Sequence, residues 1–245
     1  MSGFRRLVLE LGHGAADQGT MREAAAFARL LDAELHALFV EDETLLNASA
    51  LPFAREINPL SLRWRKLEPD RLEAELRATA DQARGRLMAV ANAVGIRRSF
   101  EIRRGDLALQ VTEFCVASDI VVVAPPLRVD TTHGSRRLRE TADRSAASVL
   151  YLPPMAGRPH GPVVAVAIGA GGSSLSVARA IAVQGEEELV VVEGTTPSDI
   201  AAALGDTRER LIVMMRGLGD GSELAAVRGV AVLVVEPEMI AGDPA

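Results

Sequence analysis

An α/β fold, a parallel sheet sandwiched between helices, follows from three features of the sequence. Short apolar runs of strand length alternate with stretches whose apolar residues recur every three or four positions. Some of the runs, such as Ile120 to Ala124, are apolar throughout, as strands covered on both faces are. Strands that alternate with helices imply parallel pairing through right-handed crossovers.

The elements follow in order. Leu7 to Leu11 is a short apolar run that stops at Gly12. Asp17 then caps a helix whose apolar positions are Met21, Ala24, Ala25, Ala28 and Leu31. Glu34 to Val40 is a second strand, closed by Glu41, Asp42 and Glu43. Residues 44–69 hold Pro52, Pro59, Pro69 and the only tryptophan, Trp64, and predict an irregular insertion with one helical turn. Asp70 opens a long amphipathic helix striped by Leu72, Leu76, Ala83, Leu87, Val90 and Val94, with Gly95 placed to end it. Ser99 to Arg103 reads as a third strand, and Gly105-Asp106 leads into a helix that carries Leu107, Val111, Phe114 and Cys115 on one face. After the fourth strand, Ile120 to Ala124, a loop runs to Ser135, a short basic helix covers Arg136 to about Ala146, and Ser148 to Leu152 is a fifth strand.

A linker at Gly157 to Pro162 follows, and then the pattern restarts. Val163 to Ile168, the loop Gly169 to Ser174 and a helix with Leu175, Ala178 and Ile181 repeat the opening. Glu188 to Val192 matches the second strand, Leu211 to Met215 the fourth and Ala231 to Val235 the fifth, with a short helix at Ser198 to Leu204 between them. The sequence thus divides into 1–156 and a truncated second copy, 157–245, without insertion, long helix or third strand. A four-stranded copy leaves sheet edge and helix face bare, so it is expected to depend on the first copy for stability.

Composition limits the partners. The chain has 245 residues, 48% hydrophobic and 24% charged, with a net charge of −6 and only 3% aromatics. It therefore lacks the attraction to phosphate backbones and the stacking platforms that nucleic acid requires. No apolar stretch approaches the 18 or more residues of a membrane span, and Glu10 and His13 interrupt the opening run before a signal-peptide core could form. One cysteine, Cys115, excludes an internal disulfide and thiolate-rich zinc sites and fits a reducing, cytoplasmic setting.

The motifs taken together resemble those of the universal stress protein family. They are Leu7 to Gly12, the helix from Asp17, Leu35 to Asp42, the helix from Asp70, Arg104-Gly105-Asp106, Asp119 to Ala124, and Gly134-Ser135 some 13 residues ahead of Val149 to Leu152. The resemblance covers about residues 4 to 154, with 162 to 237 similar to a shrunken second copy. It implies a Rossmann-like sandwich of strand order 3-2-1-4-5 in each full copy, pairing of the two copies through their last strands, a homodimer or protein partner beyond that internal pairing, and a role in stress response. Many members bind ATP through an Asp after the first strand and a Gly-x2-Gly-x9-Gly-Ser/Thr loop. Carried over residue by residue, the cofactor positions are Glu10, Gly12, Val40, Gly134 and Ser135. Glu10 replaces the Asp, and Pro125 to His133 holds no glycine and is too short for the rest of the loop. In the second copy Gly217, Gly219 and Gly221-Ser222 form a compressed version, but Ile168 and Gly169 stand where the acid should be. The resemblance therefore implies the class without a bound cofactor above the class that binds adenine nucleotide.

Other residues carry two readings each. His13 and His133 flank the crevice between the first and fourth strands and fit either acid–base or metal chemistry, or solvated loops. Arg136, Arg137, Arg139 and Arg144 suit a phosphate or a face compensated by Glu140 and Asp143. Gly169 to Ser174 suits an anion nest or a tight turn, without the lysine of a Walker loop. Cys115 reads as a buried, inert thiol. The segment Leu51 to Leu67 is either a partner surface or a flap over the sheet edge bared by the short copy. No nucleophile with a base at catalytic spacing and no metal motif marks an enzyme. The expected activity is binding and signalling.

Overall fold

The computed structural model describes residues 3–11, 17–57, 62–125, 132–155, 157–167 and 172–237, with 132 and 133 described for backbone only. The first half comprises β1 (Arg6–Glu10), α1 (Gln18–Leu30), β2 (Glu34–Asp42), α2 (Glu43–Ser49), β3 (Arg55–Ile57), β4 (Trp64–Lys66), α3 (Pro69–Val94), β5 (Arg98–Gly105), α4 (Leu107–Phe114), β6 (Asp119–Val123), α5 (Thr132–Ala142) and β7 (Ser148–Tyr151). The second comprises β8 (Val163–Ala167), α6 (Ser173–Gly185), β9 (Leu189–Glu193), α7 (Pro197–Leu204), β10 (Leu211–Met215), α8 (Gly221–Arg228) and β11 (Ala231–Val235).

Nine strands among the described residues form one sheet in the order β5-β2-β1-β6-β7-β11-β10-β8-β9. Every neighbouring pair is parallel except β7 and β11, which run antiparallel with Tyr151 opposite Val232, Leu150 opposite Leu233 and Val149 opposite Val234. Counted along the chain, the five strands left of that seam stand 3-2-1-4-5. The four on the right repeat the order β2-β1-β6-β7 and end at β9. Between β9 and β10 the chain makes only α7, where the first half makes the insertion, α3, β5 and α4.

Side chains alternate across the sheet into two apolar layers. Leu7, Leu9, Leu150 and Leu233 join α1, α3 and α6 in one layer. Val8, Val121, Val149 and Val232 join α4, α5, α7 and α8 in the other. Both layers run without interruption from one half into the other.

Several boundaries differ from the sequence reading, each for a local reason. The described part of the insertion forms α2, started by the Asp42 carboxylate accepting the Thr44 and Leu45 amides, and the antiparallel pair β3–β4. The long helix begins at Pro69 with Glu68 at the N-cap, since proline lacks an N–H and suits the first helical position; Asp70 lies in the first turn. β5 extends to Gly105 because β2 offers partners through Asp42. The basic helix starts a turn earlier than expected, so Gly134 and Ser135 lie inside α5 and not in the loop ahead of it. Buried Ser135, Leu138 and Ala142 form its i, i+3, i+7 stripe, and a serine in that stripe escapes a hydropathy reading. The hairpin does not cover the bare edge at β9. Its helix α2 packs on α3, β2 and β5, at the opposite end of the sheet.

One polar pair anchors the centre of the first half. The fully buried Asp119 carboxylate, at the start of β6, accepts two hydrogen bonds of 2.9 Å from the Arg6 guanidinium on β1 and one of 3.0 Å from the Val116 amide. Burial pushes this carboxyl up, but the Arg6 bonds outweigh it and hold Asp119 below its ordinary value of 3.8. Removing one partner leaves a buried guanidinium uncompensated. Asp119→Asn is therefore expected to lower unfolding free energy by about 3 kcal/mol in urea titrations at pH 7. Because the folded-state pKa is lowered, the difference from wild type should persist above pH 4 and shrink as the pH falls through the folded value; a loss independent of pH would contradict this.

Candidate functional site

In an open parallel sheet, ligands bind beyond the carboxyl ends of the strands where the chain reverses direction, here between β1 and β6. Glu10 ends β1 and is buried at 3% exposure, on the same face as Val8 and hence toward α4 and α5. Val40, near the end of β2, is buried in the same layer, and Ser135 approaches that layer from the first turn of α5. The structure therefore brings Glu10, Val40, Gly134 and Ser135 to one layer and one end of the sheet. Gly12, with His13, Gly14 and Arg128, lies outside the described residues, as do the side chains of Thr132 and His133. Residues 168–171, most of the glycine-rich loop before α6, also lie outside them.

The basic helix α5 is compensated, though by partners other than its interleaved acids. Arg137 is paired with the Asp106 carboxylate, which also accepts the Ala108 and Leu109 amides at the start of α4. Arg139 donates a 2.8 Å hydrogen bond to the Ser222 hydroxyl across the seam. Arg136 differs: among the described residues its partner is Glu140 one turn on, at 3.7 Å. Asp143 instead accepts the hydrogen bond of the Tyr151 hydroxyl, whose pKa is raised by burial and further by that acceptor.

In the second half, Gly221-Ser222 serves the fold. The Asp220 carboxylate accepts the Ser222 amide at 2.8 Å and the Glu223 amide at 3.2 Å, so the amides that open α8 are already used. Burial would raise the Asp220 carboxyl, but the Ser222 hydroxyl at 2.7 Å and these amides hold it low, so it stays an anion at that helix end. A Cβ on Gly221 would stand 2.7 Å from Val234 and 3.0 Å from the Tyr151 ring. Glycine is required there for close approach of helix to seam. The signal was present in the sequence as Asp-Gly-Ser-Glu, an N-cap residue three positions before an acid, and was read as part of a glycine loop instead.

Between α5 and α8 lies a cavity of about 320 Å3, lined by residues of both halves. No sequence signal marked it, because its walls come from segments some 100 residues apart. Cys115 is buried, and burial pushes its thiol up to about 12, so this thiol is a poor nucleophile. Among the described residues no group of three His, Cys, Asp or Glu side chains could hold a metal ion.

The sequence matches no protein-family model and no curated protein. Solved structures do match. A universal stress protein from Archaeoglobus fulgidus DSM 4304 superposes with a TM-score of 0.52 at 14% identity, covering 94% of this chain and 96% of that one. The fold is that of the universal stress proteins. A candidate universal stress protein from Pseudomonas aeruginosa UCBPP-PA14 gives 0.54 at 15% identity, with 97% and 95% covered. A protein of unknown function from Pseudomonas aeruginosa PAO1 gives 0.52 at 15% identity, with 97% and 94% covered. The universal stress protein fold therefore spans both halves of the chain.

The contacts at Gly221 lead to a stability test. Gly221→Ala forces Val234 or Tyr151 to shift, and overpacking of this kind costs about 1–3 kcal/mol. Chemical denaturation should register that loss; a variant as stable as wild type would show that the seam yields freely.

Proposed function

We propose that this chain is a cytoplasmic, universal stress protein-like protein that acts in stress response by binding and signalling, without catalysis and without ATP, and that 157–245 is a shortened second copy. The observation that carries the reading is the state of the two helix ends that would cradle a triphosphate. At α8 the amides are spent on the anion of Asp220, which would repel a phosphate. At α5, Gly134 and Ser135 stand within the helix, and only residues 124–131 separate it from β6. A phosphate loop supplies free backbone donors at a helix start; those of α8 are engaged, and residues 124–131 before α5 hold no glycine for such a loop. The single, buried cysteine accords with a reducing compartment.

Signalling by binding needs a partner surface, and the insertion provides one. Phe53, Leu62 and Trp64 are exposed at 74%, 78% and 64% on and beside the β3–β4 hairpin, which Glu56 ties to Arg71 of α3. Large apolar side chains left exposed on one short segment favour a protein partner over plain solvent.

A second reading is favoured by the burial of Glu10, Val40 and Ser135 at one end of the sheet: an adenine nucleotide held by the first half alone, with slow hydrolysis or none. Thermal unfolding separates the two. With 5 mM ATP or ADP and magnesium, the expected Tm equals that of the free protein. A ligand at 100 times its Kd stabilises by about 2.7 kcal/mol, so a rise of several degrees would establish the nucleotide reading.

A further inference from the structure

We propose that the cavity between α5 and α8 is a binding site for a small amphipathic carboxylate, a ligand with one anionic head and a short apolar body. This goes beyond the function proposed above and rests on its reading without ATP, since a nucleotide held at Glu10 and Val40 would claim Ser135 as well.

The cavity lining is of two chemical kinds. Val123, Leu152 and Pro154, at or just beyond the ends of β6 and β7, and Ala226 on α8 are apolar, whereas Ser135, Arg136, Arg139 and Ser222 are polar. Ser135 is only 6% exposed, and its hydroxyl has no hydrogen-bond partner among the described residues. Buried hydroxyls in folded proteins are normally satisfied, because one left unpaired forfeits the hydrogen bonds it made to water. The contrast is local: Ser145, just beyond the same helix, donates to the Ala142 carbonyl at 2.8 Å. Ser135 is thus a residue of the cavity wall whose buried hydroxyl has a hydrogen bond in reserve.

Arg136 has comparable freedom. Its contact with Glu140 is 3.7 Å long, and the two side chains are 61% and 50% exposed, so water screens the pair and holds it loosely. It can turn toward the cavity at little cost. Both polar groups are donors toward an incoming ligand, so the head they recognise is an acceptor, and the guanidinium favours an anion. Arg139, fixed on Ser222, adds positive potential at the mouth.

The donor set also selects the kind of anion. The Arg136 guanidinium and the Ser135 hydroxyl, the two of these groups without a close partner, match the two oxygens of a carboxylate. A phosphate dianion would need more donors, and Arg139, Ser222 and the opening amides of α8 are already engaged. The volume sits at the lower end of the range for small-molecule sites, about 300–1,000 Å3, and the apolar wall needs a hydrocarbon body to cover it.

Calorimetric titration of the full chain with octanoate tests the assignment, with octanol and inorganic phosphate as the ligands that keep only one end of the chemistry. Octanoate should bind saturably, and octanol and phosphate at least ten-fold more weakly. Ser135→Ala should weaken octanoate by roughly three- to ten-fold, the value of one hydrogen bond. Ala226→Phe, at an exposed position of α8, should fill the cavity and abolish binding while the Tm stays within a few degrees. The proposal is overturned if octanoate gives no saturable heat, if phosphate binds as tightly as octanoate, or if Ala226→Phe leaves octanoate affinity unchanged.

Discussion

Three residue pairs across one antiparallel seam, with Tyr151, Leu150 and Val149 facing Val232, Leu233 and Val234, join a five-stranded and a four-stranded block into a single sheet. Everything else in the molecule is arranged around that seam. Without it β7 and β11 would both be edges, with unpaired backbone groups and apolar faces open to water. The residues of β11 are all buried. Burying a valine or leucine side chain contributes about 1.5–3 kcal/mol, so uncovering even part of β11 costs an appreciable share of the 5–15 kcal/mol by which a domain is stable.

Both helical layers close over the seam, by different means. On one side α1 meets α6 closely enough that a Cβ on Gly185 would stand 2.6 Å from Leu30. On the other, α5 meets α8 through Arg139 and Ser222, and Gly221 lets α8 settle on Tyr151. Arg216, just after β10, reaches back to the first half and donates to the Ala147 carbonyl at 2.8 Å. The strap between the halves is tied down as well, for the Gly157 amide donates to Glu23 at 2.8 Å and Arg158 to the Glu209 carbonyl at 3.0 Å.

Much of this architecture is legible in the residues. Continuous apolar runs such as Ile120–Val123 and Val163–Ala167 are buried strands because the sheet is covered on both faces. Gly95, at φ 74°, ends α3 because glycine takes the left-handed conformation without penalty. What the sequence conceals is mostly polar and long-range. Ser135 reads as a loop residue although it belongs to a buried stripe. The partners of Arg137 and Arg139 lie on α4 and α8, some 31 and 83 residues away, so local charge patterning points to the wrong acids. Asp220 hides in a glycine-rich stretch where a cap and a phosphate loop look alike. The site is thus less legible than the fold, since its groups are matched by tertiary contact and not by spacing.

If the second block takes its fold from β7, it has no stability of its own. A thermal scan of residues 159–245 expressed alone, followed by circular dichroism and light scattering, should then show an unfolded or aggregating fragment with no cooperative transition. A sharp, reversible transition from a monomeric fragment would show that the block folds without the seam.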